Sequence, residues 1–157
     1  SCVMAGELRP DVVIAVDVNH DLKAAPGVAA KRFTPLSMGK GFTLTAGSIV
    51  SAQLNAIIES AAISKGIPVQ HSASGRDTGT DAMAAVLAGV DAAATSVGFP
   101  IRNMHTISET GHTGDVLACI HGLDAALRKM DKEKLTSESF RSGHPRLDEV
   151  KPVTKPK

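Results

Sequence analysis

Asp11 to Val18 reads DVVIAVDV, the stretch that decides the fold. A nearly continuous apolar run rich in β-branched residues belongs to a strand covered on both faces, where polar alternation is lost. Asp17 interrupts it near its C-terminal end. Ala92 to Phe99 (AAATSVGF) is a second run of this kind, with Pro100 placed to end it. Between the two, Ser48 to Lys65 carries apolar residues at Ile49, Ala52, Leu54, Ile57, Ile58, Ala61 and Ala62. That approximates helical spacing, and Gly66 is placed to stop it. Ile67 to Ala73 reads as a strand, Phe42 to Thr45 as a short one, and Asp81 to Ala88 as a helix. Asp115 to Met130 is a clear amphipathic helix. Strands separated by helices predict an α/β layer architecture with a mixed, largely parallel sheet.

The remaining segments read as connections. Asn19 to Lys40 is rich in Pro, Gly and charge, the mark of a long functional loop. Ser74 to Thr80 (SGRDTGT) is a polar loop feeding a helix, and Ile101 to Thr113 is another, holding His105 and His112. After Met130 apolar residues thin out and three prolines appear, so 131–157 is expected to be an irregular or disordered extension of a unit spanning 1–130.

Composition narrows the function. In 157 residues, 43% are apolar, yet there are four Phe and neither Trp nor Tyr. The formal net charge of +1 offers no field for nucleic acid or an anionic membrane surface. Stacking platforms for single-stranded nucleic acid are missing as well. Cys2 and Cys119 suggest neither a disulfide framework nor a zinc knuckle. Without a secretory leader pattern or an apolar run of spanning length, a cytoplasmic location is expected.

In a sheet of this kind, active sites gather in loops at the carboxyl ends of the strands. Asp17, the SGRDTGTDA segment and the PIRNMHTISE segment fall there. Each admits two readings. Asp17 either caps a loop by local hydrogen bonding or, in apolar surroundings, uses a cation to offset desolvation. His105 is either an ordinary loop histidine or a ligand, while His20 and His112 read more readily as solvated. Gly75 to Thr80 lacks the lysine ending of a P-loop, and no nucleotide signature is present.

The order of blocks carries more than any one of them. IAVDV with Asp17 is followed by MGKG at Met38 to Gly41, then GIPVQ at Gly66 to Gln70. GTDA follows at Gly79 to Ala82, then PIRNMHT with His105, trailed by Glu109. From about Arg9 to Met130 this resembles the tetrahedral, deblocking and glutamyl aminopeptidases, some of which carry the label endoglucanase. The resemblance implies a three-layer, zinc-peptidase-like sandwich, here incomplete at its N-terminal side. It implies peptide substrates, homo-oligomers, and two divalent metal ions, Zn or Co, in the complete protein. It also implies that Asp17 and His105 are terminal ligands of different metals, and that Gly79, Thr80, Asp81 and Arg102 lie near the substrate pocket. For those four, a structural role competes: Thr80 or Asp81 as a helix cap, Arg102 as partner of a nearby acid.

One departure matters. The family's adjacent glutamate pair, source of the general base, should stand shortly before the IAVDV strand. SCVMAGELRP stands there instead, with Glu7 as its only acid. No catalytic base is therefore expected within this chain, which is expected to be a truncated piece or a natural remnant, inactive alone and weak or silent toward metal. A piece lacking part of its sheet is also expected to keep an apolar face or open edge and to self-associate. The competing function is a non-catalytic assembly or peptide-binding module that retains the peptidase fold.

Overall fold

The structure is a computed structural model and describes residues 2–24, 35–75 and 81–140. The elements are α1 (Cys2–Leu8), β1 (Val12–His20), β2 (Phe42–Gly47), α2 (Ala52–Ser64), β3 (Val69–Ser74), α3 (Asp81–Leu87), β4 (Ala93–Arg102), β5 (Thr110–Gly111) and α4 (Thr113–Glu133). A short 3-10 helix, Ser137–Phe140, follows. The described strands form one open, mixed sheet in the order β1-β4-β2-β3, with β5 added to the end of β4. β1 runs parallel to β4 and β2 parallel to β3, while β2 and β5 each meet β4 antiparallel.

Side-chain parity shows how the layers stack, because successive strand residues point to opposite faces. Val12 and Ile14 pack on the main cluster, which includes Leu54 and Ile58 of α2 and Ala118, Cys119 and Ala126 of α4. Ala15, on the other face, is buried and shares a groove with Ala85 of α3. The helices α2 and α4 thus cover one face, with α3 on the other beside α1. Phe42, Leu44 and Val97 sit at the centre of the cluster, each with at most 1% of its surface exposed. Cys119 is a free thiol, and burial pushes it up to about 11.

Several boundaries differ from the sequence reading for local reasons. Helix α2 starts at Ala52, not Ser48, because Ser51 caps it: the side chain accepts the Leu54 N–H at 3.2 Å. Pro100 does not end β4. Ala93 donates to Asp11 O and Asp21 donates to Ile101 O, so odd residues of β4 face β1 and Pro100 faces the other way. There, β2 pairs only as far as Gly98 and β5 begins at Ile101. The missing N–H of Pro100 falls in that gap, where no ladder bond is lost.

Past residue 130, α4 continues to Glu133, and Phe140 is buried in the core cluster. The packed unit therefore reaches beyond the boundary read from composition; 141–157 lie outside the described residues. At the other end, α1 was not foreseen, being seven residues without a cap signal.

The MGKG segment is fixed by a buried acid. Asp115, in the first turn of α4 and 1% exposed, accepts Gly39 N–H on Oδ2 (2.7 Å) and Gly41 N–H on Oδ1 (2.8 Å). Gln70 holds the same loop from β3, donating to Ser37 O and Gly41 O and accepting from Ser37 N–H. Only glycine fits at Gly41: its φ is +98°, and an added Cβ would lie 2.1 Å from the Pro68 carbonyl oxygen.

Candidate functional site

Parallel pairing brings the carboxyl ends of β1 and β4 to one end of the sheet, with His20 level with Ile101. Asp17 is level with Gly98, and β1 runs on three residues past it to His20. The residue is exposed, and its Oδ1 accepts the N–H of Val18 at 2.8 Å. The apolar enclosure expected of a doubly covered strand is absent here, because β1 is an end strand of the described sheet and Val16 beside it is 56% exposed.

Gly98 keeps the space between Asp17 and its neighbours narrow. A Cβ there would lie 2.2 Å from the Asp17 carbonyl oxygen and 2.9 Å from Asn19 Nδ2. Across this bare position Asn19 Nδ2 donates to Thr43 Oγ1 at 2.7 Å. Asp17, Asn19 and Thr43 thereby share one face, opposite that of α2 and α4.

His105 lies in the loop that reverses the chain from β4 into β5. Asn103 and His105 both take positive φ, 56° and 65°, and β5 returns with Gly111 level with Ile101. The loop is tied internally: His105 N–H donates to Glu109 Oε1 at 2.7 Å, and Thr106 Oγ1 to Asn103 O at 2.7 Å. The residue itself is exposed. Asp17 and the His105 loop therefore belong to the same end of the same strand pair. From the level of Gly98 to Arg102 is roughly 13 Å along the strand, so a shared centre requires the loop to fold back over β4.

Arg102 is engaged by an acid the sequence did not single out. Its Nε donates to Asp21 Oδ2 at 2.9 Å; Asp21 is 3% exposed, whereas half of the arginine side chain stays in solvent. Lys23 N–H donates to Asp21 Oδ1, and Asp21 N–H to Ile101 O, so the pair staples the end of β1 to the end of β4. Replacing Arg102 with Ala should cost about 1–3 kcal/mol, the penalty for a buried acceptor left short of partners. Urea unfolding of Arg102→Ala tests this; an unchanged midpoint would mean the pair carries no load.

The other expected residues are placed differently. Asp81 starts α3, is exposed, and borders a groove with Met4, Leu8 and Val16 on the α1 side. Gly79 and Thr80 lie outside the described residues. His112 caps α4, its Nδ1 accepting Gly114 N–H at 3.1 Å, which accounts for it without a ligand. Among the described residues no three His, Cys, Asp or Glu side chains gather as a metal would require. Asp17 and His105 are chemically suitable donors, carboxylate and imidazole. Two such donors do not make a complete zinc site, which takes three or four protein ligands. No described helix is long and apolar enough to cross a membrane.

The M42 glutamyl aminopeptidase family model matches residues 1–121. The chain belongs to that family. Solved structures agree in fold. A TET aminopeptidase from a marine sediment archaeon, Thaumarchaeota archaeon SCGC AB-539-E09, is 24% identical with a TM-score of 0.74, the match covering 87% of this chain and 38% of that one. The aminopeptidase APDkam598 from the archaeon Desulfurococcus kamchatkensis is 25% identical with a TM-score of 0.69, over 93% and 40% of the two chains. PhTET1-12s, described as a dodecamer, is 26% identical with a TM-score of 0.60, over 81% and 36%. The chain thus spans well under half the length of each of these relatives. No curated protein matches it.

Proposed function

We propose that the complete polypeptide is a metal-dependent aminopeptidase that removes N-terminal residues from peptides. In this reading Asp17 and His105 each bind one of two divalent ions, Zn or Co. The family match over residues 1–121 carries the proposal. It is supported by the placement of an exposed carboxylate and an exposed imidazole at one end of the β1–β4 pair. When bound, the metals supply a hydroxide nucleophile at neutral pH and polarise the scissile carbonyl.

The chain's own residues supply position. Asp21 and Arg102 hold the strand ends together, leaving the outer part of the guanidinium in solvent for a peptide carbonyl or carboxylate. Gly79, Thr80 and Asp81 are proposed to border the substrate with Arg102. The general base is assigned to a glutamate outside these 157 residues. Homo-oligomers and a cytoplasmic setting belong to the same reading; a relative from Pyrococcus horikoshii is described as assembling into a tetrahedron or an octahedral shell.

The test is complementation. The chain alone, assayed with Co²⁺ or Zn²⁺ on a panel of aminoacyl amides, should be inactive. Joined to an upstream half bearing the glutamate pair, it should hydrolyse at least one of them in a metal-dependent way. General base catalysis alone is worth ~10²–10⁴-fold, so the contrast is large. A joined protein that folds, binds metal and hydrolyses none of the panel would favour the non-catalytic module.

A further inference from the structure

The loop from β4 to β5 bends through two residues that rarely adopt its conformation. Asn103 and His105 have φ of 56° and 65°, in the left-handed region that residues other than glycine seldom enter. Such a conformation persists only where its surroundings over-determine it. Thr106 supplies part of this: its N–H and its Oγ1 both donate to Asn103 O, at 3.1 and 2.7 Å. Those bonds close the turn around Met104 and His105. His105 is held separately, through its own N–H, by Glu109 Oε1 at 2.7 Å.

Glu109 is well placed for that task. The next residue, Thr110, pairs with Arg102, and Gly111 with Ile101, so its main chain is fixed to the sheet. The bond ties the crown of the loop to its sheet-anchored base, four residues on. A carboxylate accepting an N–H makes a shorter and stronger bond than a neutral acceptor does. That matters here, because both residues are exposed to competing water. The tie is made to the main chain of His105, so it leaves both ring nitrogens for other partners.

We propose that Glu109 is a positioning residue for His105. Its carboxylate holds the His105 main chain in the left-handed turn that reverses the loop toward β4, so that the imidazole can reach a metal without further ordering. The inference rests on the reading of His105 as a metal ligand. Without the tie, His105 relaxes to an ordinary negative φ, and the turn must be re-formed before the ring can coordinate. That penalty falls on the affinity for one ion. Loss of a residue that orients a ligand weakens metal binding by about 10–100-fold.

Zinc titration of the complete polypeptide by calorimetry, alongside melting of the metal-free protein, tests this. Glu109→Ala should weaken one of the two zinc-binding steps by about 10–100-fold and leave the other unchanged. Its metal-free melting temperature should match wild type, because an exposed loop bond adds little to folding. Excess zinc should restore kcat in Glu109→Ala, where the ligand is still present, but not in His105→Ala. Glu109→Gln keeps an acceptor oxygen and should bind zinc nearly as wild type does. Glu109→Asp keeps the charge but falls a methylene short, and should behave as Glu109→Ala. Wild-type zinc affinity in Glu109→Ala, with one step lost in His105→Ala, would overturn this inference alone. So would wild-type behaviour in Glu109→Asp with a loss in Glu109→Gln, which would make charge, not the bond, responsible. Both zinc steps intact in His105→Ala would overturn the ligand assignment, and this inference with it.

Discussion

Asp115→Ala is expected to lower folding stability by about 2–4 kcal/mol. The carboxylate is buried and accepts the backbone N–H groups of Gly39 and Gly41 from a loop more than seventy residues away in sequence. Removing it orphans both amides, each worth ~1–3 kcal/mol when buried and unpaired. Relief of the carboxylate's own desolvation offsets part of that cost. The loop has little freedom to find new partners, since Gly41 is held at φ +98° against Pro68. Asp115→Asn should fall between wild type and alanine, because one of its side-chain atoms becomes a donor facing a donor. Urea unfolding should show a lower midpoint with an unchanged slope. A loss within the ±0.5 kcal/mol typical of neutral surface changes would show that Gln70 and the Leu22–Leu36 backbone bond hold the loop without Asp115.

The second large effect is on activity. In the complete polypeptide, Asp17→Ala and His105→Ala should each lower kcat/KM by more than about a hundredfold. Loss of an outer-shell partner already costs 10–100-fold in metal affinity or activity, and loss of a direct ligand should exceed that. Both residues are exposed, so stability should stay within about 0.5 kcal/mol of wild type. His112→Ala provides the contrast. It removes the cap of α4, so it should lose about 1 kcal/mol of stability while keeping activity. If His112→Ala abolished activity and His105→Ala did not, the ligand assignment would move to the start of α4.

The contrast between these residues shows what a sequence makes visible. β1 and β4 were legible because β-branched runs have few other uses in a folded chain, and α2 and α4 because their apolar spacing is helical. Whether a strand is central or at an edge depends on neighbours that the strand itself does not encode. Asp17 therefore read as enclosed and proved exposed. Pro100 misled for a related reason: its missing N–H matters only on the side where a partner strand needs it.

The site was legible through motif order more than through chemistry. Motif order singles out Asp17 and His105 as candidates, but it does not single out the acid that holds Arg102. Asp21 and Arg102 are 81 positions apart, and nothing local marks either as half of a pair. Asp115 stands in the first turn of α4, where an acid suits the dipole whatever else it does. Its role toward Gly39 and Gly41 exists only once α4 has packed beside the loop. Phe140 was hidden by its polar surroundings, since a lone aromatic in a proline-bearing tail gives no period to read.

The central claim is that Asp17 and His105 belong to one dinuclear centre, and anomalous X-ray scattering from crystals of the complete polypeptide grown with Zn²⁺ tests it most directly. The prediction is two zinc peaks, one within about 2.0–2.2 Å of an Asp17 carboxylate oxygen and the other at a similar distance from a His105 ring nitrogen. Two bound zinc ions with neither residue in coordination range would contradict it.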